Sequence, residues 1–270
     1  MRRPSFFARN GRAVVVAIDH PMYTWPCKGL EDRRRLIETV AEAGADAIIS
    51  TYGTIRDERK AFGDAAPVLK LDLTTVTLGA ADYGITDHVP TWSVRDAKRL
   101  KVKAVMTYVQ LGAPFELQAL QAAGRIAADC DDEGIDYVCE IMPVECARYK
   151  NAYASDAIAA SCRAGAEIGA HVIKTTLPSP AAAAIAEGVA CGVPVIIAGG
   201  NFAADKERYY ADLAAAMTVS RLRTTSSGSA SSIQCGASTI VKTPGDQRAT
   251  KAFRSGSRAT SEGSRSFAAR

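Results

Sequence analysis

The chain has 270 residues, 47% of them hydrophobic and 23% charged, with a formal net charge of +4. These values are typical of an ordinary soluble globular protein, either one α/β barrel or two small domains. No apolar stretch of about 18 uncharged residues and no signal-peptide pattern is present. We therefore expect a cytoplasmic protein with no membrane partner.

The cysteine pattern and the absence of nucleotide-binding motifs argue against several classes of site. The seven cysteines are an odd number and are scattered without a C-x-x-C pair, so we predict neither a disulfide framework nor a zinc site. No G-x-x-x-x-G-K-[ST] or G-x-G-x-x-G pattern occurs. We predict no metal and no cofactor.

Short apolar runs alternate with longer amphipathic segments from residue 12 to about residue 217. The predicted strands are 13–18, 47–50, 68–71, 103–108, 137–142, 171–175 and 195–198. The predicted helices are 30–43, 94–100, 116–131, 155–168, 179–189 and 206–216. Near-continuous apolar strands are typical of a parallel sheet covered on both faces. Gly44, Gly169 and Gly192 each stand just before a strand, where a helix C-cap needs a left-handed residue.

Seven βα units are recognisable within residues 1–218, whereas a closed (β/α)₈ barrel has eight. We predict a TIM (β/α)₈-type barrel over residues 1–218, with the eighth βα unit missing or replaced by a low-complexity C-terminal tail. A barrel without that unit would expose two strand edges. Low stability and weak or absent activity would follow.

Residues 219–270 form a Ser/Thr/Arg-rich segment in which 18 of 52 residues are Ser or Thr. Nine Lys and Arg against two Asp and Glu give it a charge of +7, which leaves −3 for residues 1–218. Such a composition buries too little apolar surface to offset the ordering entropy. The segment is either a disordered basic extension or an out-of-frame translation that begins near residue 218. No specific nucleic-acid site is predicted.

In parallel barrels, side chains at the carboxyl ends of strands face the active site. The polar residues at these ends are Asp19, Lys70, Asp72, Tyr108, Gln110, Glu140, Lys174, Thr175 and Thr176. Burial disfavours an ammonium group, so a desolvated lysine has a lowered pKa and its free amine attacks carbonyl carbons. The set therefore suits Schiff-base chemistry, with Lys174 as nucleophile and Asp19 as the proton-transfer group. The alternatives are a capping role for Asp19 and an ordinary salt bridge for Lys174.

Four stretches resemble one known family. They are VAIDHP (16–21), GADAIIST (44–51), IGAHVIKTTLP (168–178) and VPVIIAGGNFAADKE (193–207). They resemble the class I, Schiff-base aldolases of the DeoC/LacD family, which includes archaeal-type fructose-bisphosphate aldolases and aminodideoxyheptulosonate synthases. The resemblance covers about residues 10–217.

By this resemblance, Lys174 matches the Schiff-base lysine and Asp19 the acid/base residue of strand one. Gly199 and Gly200 match a loop whose backbone amides bind a substrate phosphate, although a plain strand-to-helix turn explains the pair equally well. The implied function is a lyase of carbohydrate metabolism that cleaves or forms a C–C bond in a phosphorylated ketose. The alternatives are a transaldol-type synthase, an acyl-transferring relative, or a catalytically dead phosphosugar-binding barrel. Homo-oligomers are compatible with this scaffold.

The chain departs from the family pattern at two places. Met142 stands where the family commonly has a tyrosine before the proline of strand five, and methionine cannot relay a proton. Glu140 lies two residues earlier, on the same face of the strand, and either supplies the acid/base function or pairs with Lys174 and holds it charged. The family's second phosphate-binding segment, on strand eight, has no counterpart.

Overall fold

The computed structural model describes residues 3–8, 11, 13–22, 29–76, 85–177, 192–198, 211 and 222–226. Its strands are β1 (Val14–Ala17), β2 (Ala47–Ser50), β3 (Ala66–Lys70), β4 (Asp72–Val76), β5 (Ile85–Pro90), β6 (Ala104–Leu111), β7 (Asp136–Pro143), β8 (Val172–Thr176), β9 (Val195–Ala198) and β10 (Leu222–Ser226). Eight of them form a closed barrel in the order β1-β10-β9-β8-β7-β6-β3-β2. Every pairing in this barrel is parallel. The predicted TIM-barrel fold and all seven predicted strands are confirmed.

The eighth barrel position is occupied by β10, which belongs to the Ser/Thr-rich tail. It pairs with β1, where Val14 lies opposite Thr224, and with β9, where Leu222 lies opposite Val195. Of the two alternatives for the eighth unit, the structure thus shows a strand supplied by the tail. The tail strand therefore covers the edges of β1 and β9 that a barrel without an eighth unit would expose. Strand pairing uses backbone groups, so a largely polar sequence can form this strand, and its two threonines have good β propensity.

The helices described are α1 (Arg33–Glu42), α2 (Tyr52–Asp57), α3 (Val94–Arg99), α4 (Glu116–Glu133) and α5 (Ser155–Glu167). The Asp32 side chain caps α1, and Ser93 with Asp96 forms a capping box at α3. The six-residue α2 was not predicted from the sequence. The helices predicted over 179–189 and 206–216 lie outside the described residues, apart from Ala211. None of the helices described has the length and apolarity needed to cross a membrane.

Alternate residues of the barrel strands pack into two separate buried clusters. One contains Val15, Ala17, Ala47, Ile49, Val68, Ala104, Met106, Val138, Val172 and Ile196. The other contains the intervening residues, such as Val16, Ile48 and Leu69, together with residues of the helices. The first cluster therefore fills the barrel interior, and the second lies between the barrel and its helices.

The N-terminal segment closes the amino-terminal end of the barrel. Phe6 and Phe7 are buried in the interior cluster, with their rings 5.0 Å apart in an edge-to-face arrangement. The backbone N–H of Ser5 donates a hydrogen bond of 2.5 Å to Asp136 Oδ2, at the start of β7. This plug leaves the carboxyl end of the barrel as the open end.

An antiparallel hairpin of β4 and β5 stands at the carboxyl end of β3. The chain returns from it to α3 through Thr91 and Trp92, whose backbone N–H groups both donate to the carbonyl of Leu71. The sequence patterns did not predict this hairpin. It brings His88, from the middle of β5, to the open end of the barrel.

Candidate active site

A layer of polar side chains lies directly above the apolar interior, toward the carboxyl ends of the strands. Asp19, Lys70, Tyr108, Glu140 and Lys174 each stand two residues after a member of the interior cluster, so all five face inward. Asp19, Lys70 and Lys174 are at most 4% exposed. Buried charges need hydrogen-bonded partners of opposite charge, and the layer provides them.

Lys174 and Glu140 are brought together on neighbouring strands. The two residues are register partners of β8 and β7, and Lys174 Nζ lies 2.7 Å from Glu140 Oε1. The exposed fractions of their side chains are 5% and 13%. The predicted pairing of the two residues is therefore present, while the acid/base role of Glu140 stays a prediction.

Lys70 belongs to a second buried ionic group. Its Nζ lies 2.5 Å from Asp72 Oδ1. The other oxygen, Asp72 Oδ2, is 2.6 Å from His88 Nε2 and accepts a hydrogen bond of 2.6 Å from the backbone N–H of Tyr108. The Asp72 side chain thus contacts residues of β3, β5 and β6.

The pKa values of this pair move in opposite directions. Burial opposes the charged form of Lys70, but the carboxylates of Asp72, Asp19 and Glu140 outweigh it and raise the lysine pKa. Burial likewise opposes ionisation of Asp72, and the charges of Lys70 and His88 nevertheless lower its pKa. Both groups are therefore ionised at neutral pH. The joint action of Asp19 and Glu140 on one ammonium places them in the same charged layer.

Tyr108 contributes a phenol to the same layer. Its ring centroid is 5.5 Å from Lys70 Nζ. Its hydroxyl accepts a hydrogen bond of 3.1 Å from Gln110 Nε2 and donates weakly to Met142 Sδ at 3.9 Å. Burial, followed by the charge of Glu140, raises the pKa of Tyr108, so the phenol keeps its proton. A phenol from β6 therefore lies beside the methionine on β7.

A cavity of about 330 Å³ lies at the ends of β1 and β2, on the side of α1 and α2. Ile18, Thr51 and Trp92 are among the residues that line it. The Trp92 ring stacks on Tyr52 with 5.9 Å between ring centroids. None of the five side chains of the charged layer is among the residues that line this cavity.

The structure thus brings three of the predicted site residues, Asp19, Glu140 and Lys174, into one layer. Gly199 and Gly200 lie outside the described residues. The strand-end pattern pointed to Lys70, Asp72 and Tyr108 without giving them a role, and it missed His88 because the hairpin was not predicted. Within the described ranges, no group of three or more His, Cys, Asp or Glu residues is arranged to hold a metal ion.

Known proteins are similar to this chain in sequence. The family model for DeoC/LacD family aldolases matches residues 13–231. The 2-amino-3,7-dideoxy-D-threo-hept-6-ulosonate synthase 1 of Archaeoglobus fulgidus is 31% identical over 76% of this chain and 75% of its own length. The corresponding synthase of Halobacterium salinarum is 30% identical over 73% of this chain and 72% of its own length.

Solved structures show the same fold at lower identity. A Schiff-base-forming fructose-1,6-bisphosphate aldolase superposes with a TM-score of 0.70 at 21% identity, covering 82% of this chain and 88% of its own. An archaeal fructose 1,6-bisphosphate aldolase gives a TM-score of 0.70 at 22% identity, covering 82% of this chain and 87% of its own. The family match spans the barrel and the charged layer, and the chain therefore belongs to the DeoC/LacD family of aldolases.

Proposed function

We propose that this protein is a class I aldolase whose Lys174 forms a Schiff base with the carbonyl group of a phosphorylated ketose. The observation that supports this most directly is the position of Lys174, buried at the barrel mouth with Nζ 2.7 Å from Glu140 Oε1. An amine held there is shielded from bulk water and has a base within hydrogen-bond distance.

The side chains of the layer divide the proton transfers between them. Glu140 accepts a proton from Lys174, and the free amine adds to the ketone carbon to give a carbinolamine. Glu140 then returns the proton to the carbinolamine hydroxyl, which leaves as water. In the cleavage direction, Asp19 takes the proton from the substrate hydroxyl while the electron pair of the breaking C–C bond moves into the iminium.

The proposed substrate class agrees with the relatives. One neighbour is a Schiff-base-forming fructose-1,6-bisphosphate aldolase, and a 27% identical relative from Photorhabdus laumondii is a 3-hydroxy-5-phosphonooxypentane-2,4-dione thiolase, so both act on phosphorylated carbonyl compounds. Gly199 and Gly200 are the proposed phosphate-binding residues, from the sequence resemblance. Action on soluble sugar phosphates in cytoplasmic carbohydrate metabolism is part of this proposal.

Borohydride trapping tests the role of Lys174. The protein is incubated with fructose 1,6-bisphosphate or dihydroxyacetone phosphate, reduced, digested and mapped by mass spectrometry. We expect a covalent adduct on Lys174 that is absent from Lys174→Met and retained in Lys103→Met, since Lys103 is exposed. Glu140→Gln is expected to slow adduct formation by about 10²-fold, because it removes the base.

Two outcomes would contradict the proposal. An adduct that persists in folded Lys174→Met would move the nucleophile elsewhere. A protein that binds phosphosugars but yields no adduct with any member of a phosphosugar panel would be a binding barrel without catalysis.

A further inference from the structure

Lys70 is a second inward-facing lysine that the proposed cycle does not use. It is 2% exposed and stands on β3, three strand positions from Lys174 on β8. Both side chains point toward the barrel axis, and Glu140 connects them: it pairs with Lys174 and its charge also acts on Lys70. The two ammonium groups therefore face one reaction space from different sides.

The surroundings of Lys70 suit a permanent cation. Asp72 holds its Nζ at 2.5 Å, and His88 with the backbone N–H of Tyr108 holds Asp72 in turn. An ammonium fixed in this way has no free electron pair with which to attack a carbonyl carbon. Lys70 is thus suited to hydrogen-bond donation, and Lys174 to nucleophilic attack.

The charge balance of the layer indicates which kind of substrate group could bind to Lys70. Among the residues that the structure describes, the two lysines of the layer face three carboxylates, those of Asp19, Asp72 and Glu140. A permanently ionised phosphate is disfavoured beside so many carboxylates. A neutral hydroxyl or carbonyl oxygen, on which negative charge develops only during the reaction, is compatible with this balance.

We propose that Lys70 donates a hydrogen bond to the substrate oxygen that becomes negatively charged when the C–C bond is broken or formed. This inference rests on the proposed Schiff-base function. In cleavage, the hydroxyl proton moves to Asp19 and the C–O single bond becomes a double bond. The electron pair of the C–C bond moves to the iminium, which becomes an enamine. Lys70 stabilises the alkoxide character of the oxygen during this step and keeps its own proton. Asp72 and His88 act as positioning residues.

Two assays on each variant separate this role from the role of Lys174. Adduct formation with dihydroxyacetone phosphate requires only Lys174 and its proton relay, whereas cleavage of fructose 1,6-bisphosphate also requires the C–C step. We expect Lys70→Met to retain the borohydride adduct on Lys174 and to lose about 10²-fold in cleavage kcat. Lys70→Arg keeps the charge with altered geometry, so its loss should be smaller.

A folding control keeps the test decisive. Because Lys70→Met leaves the Asp72 carboxylate buried without its partner, the double variant Lys70→Met/Asp72→Asn is measured alongside, with Lys103→Met as the surface control. The double variant is expected to show the same separation of intact adduct formation and lost cleavage. Circular dichroism confirms that each protein is folded.

Three outcomes would overturn the proposal. Cleavage within about threefold of wild type in the folded Lys70 variants would remove Lys70 from the C–C step. Equal loss of adduct and cleavage would assign it to Schiff-base formation or to structure, while leaving the proposed function intact. Absence of the Lys174 adduct from the wild-type protein would refute the proposed function and this inference with it.

Discussion

Lys70 and Lys174 have different neighbours, and the two roles that we propose for them follow from this difference. Both are buried at the barrel mouth. The partner of Lys70 is an aspartate that two further groups hold in place. The partner of Lys174 is a glutamate on the adjacent strand that is itself partly exposed. A carboxylate with access to the reaction space can exchange a proton with substrate, whereas Asp72, fully buried, serves to keep its lysine charged.

The Lys70–Asp72 pair makes a testable contribution to stability. Removing one member of a buried ion pair leaves an uncompensated charge, so Asp72→Asn should lower the free energy of unfolding by about 3–5 kcal/mol. The double variant Lys70→Met/Asp72→Asn removes both charges and should lie closer to wild type. Urea unfolding at pH 7 measures both. A loss below about 1 kcal/mol for Asp72→Asn would contradict the burial argument.

The pH range of this contribution follows from the directions of the two pKa shifts. The pKa of folded Asp72 lies below its ordinary 3.8, so its contribution is present above that pH and is lost as the pH falls through the folded pKa. The pKa of folded Lys70 lies above its ordinary 10.5, so its contribution is present below that pH and is lost as the pH rises through the folded pKa. In the wild type both contributions should therefore be present together between about pH 5 and pH 9, which urea unfolding over this range checks.

At the scale of elements, the end of α4 depends on a glycine conformation. Gly134 caps the helix with φ at +64°, in the left-handed region. A Cβ at this position would meet no atom within 4 Å, so the conformation alone requires glycine. In the middle of the same helix, Gly124 also has open space around it, and its helical backbone suits alanine.

The same added methyl group should have opposite effects at these two positions. Gly134→Ala should destabilise the protein by about 1 kcal/mol, because L-residues disfavour the left-handed region. Gly124→Ala should stabilise it by about 0.5–1 kcal/mol, because alanine has the higher helix propensity. Urea unfolding of the two variants provides the comparison. Equal effects of the same sign would refute the conformational explanation.

The hairpin of β4 and β5 connects helix α4 to the charged layer through His88. Its His88 is 1% exposed and contacts Asp72, and its ring stacks on Phe115 with 6.2 Å between centroids. The carbonyl of His88 also accepts a hydrogen bond of 3.1 Å from Gln118 in α4. A chain of contacts therefore runs from α4 through His88 and Asp72 to Lys70 on β3.

At the scale of the whole molecule, closure of the barrel depends on β10. Without this strand, β1 and β9 would present unpaired backbone groups to solvent. A chain that stops after residue 218 should therefore give little soluble protein, whereas one that stops after residue 231, where the family match ends, keeps the closing strand. Soluble yield and size-exclusion chromatography compare the two. Equal behaviour would show that the barrel tolerates open edges.

The hypothesis that residues 219–270 are an out-of-frame translation stays a prediction. The family match extends past residue 218, and residues 222–226 pair within the barrel. The nucleotide sequence of the gene tests the out-of-frame hypothesis. A shifted frame that encodes no eighth βα unit would contradict it.

The amino-acid sequence by itself determined the barrel strands and the position of Lys174 at a strand end. Strand and helix periodicities are local, so seven strands could be predicted from apolar runs and capping glycines. The same periodicity placed Lys174 and Asp19 at strand ends, and the two-residue spacing placed Glu140 on the inner face. These inferences need only the regular geometry of strands and the rule that parallel strands share one active end.

Only the tertiary structure decided which of the strand-end groups act together. The contact of His88 with Asp72 joins residues on two strands of an irregular hairpin, and no local sequence pattern predicts it. The closing strand β10 was missed for a similar reason: its polar residues gain their place from backbone pairing with β1 and β9, and such pairing leaves little trace in hydrophobic periodicity. Long-range contacts of polar groups depend on where distant segments meet, and that is a property of the folded chain.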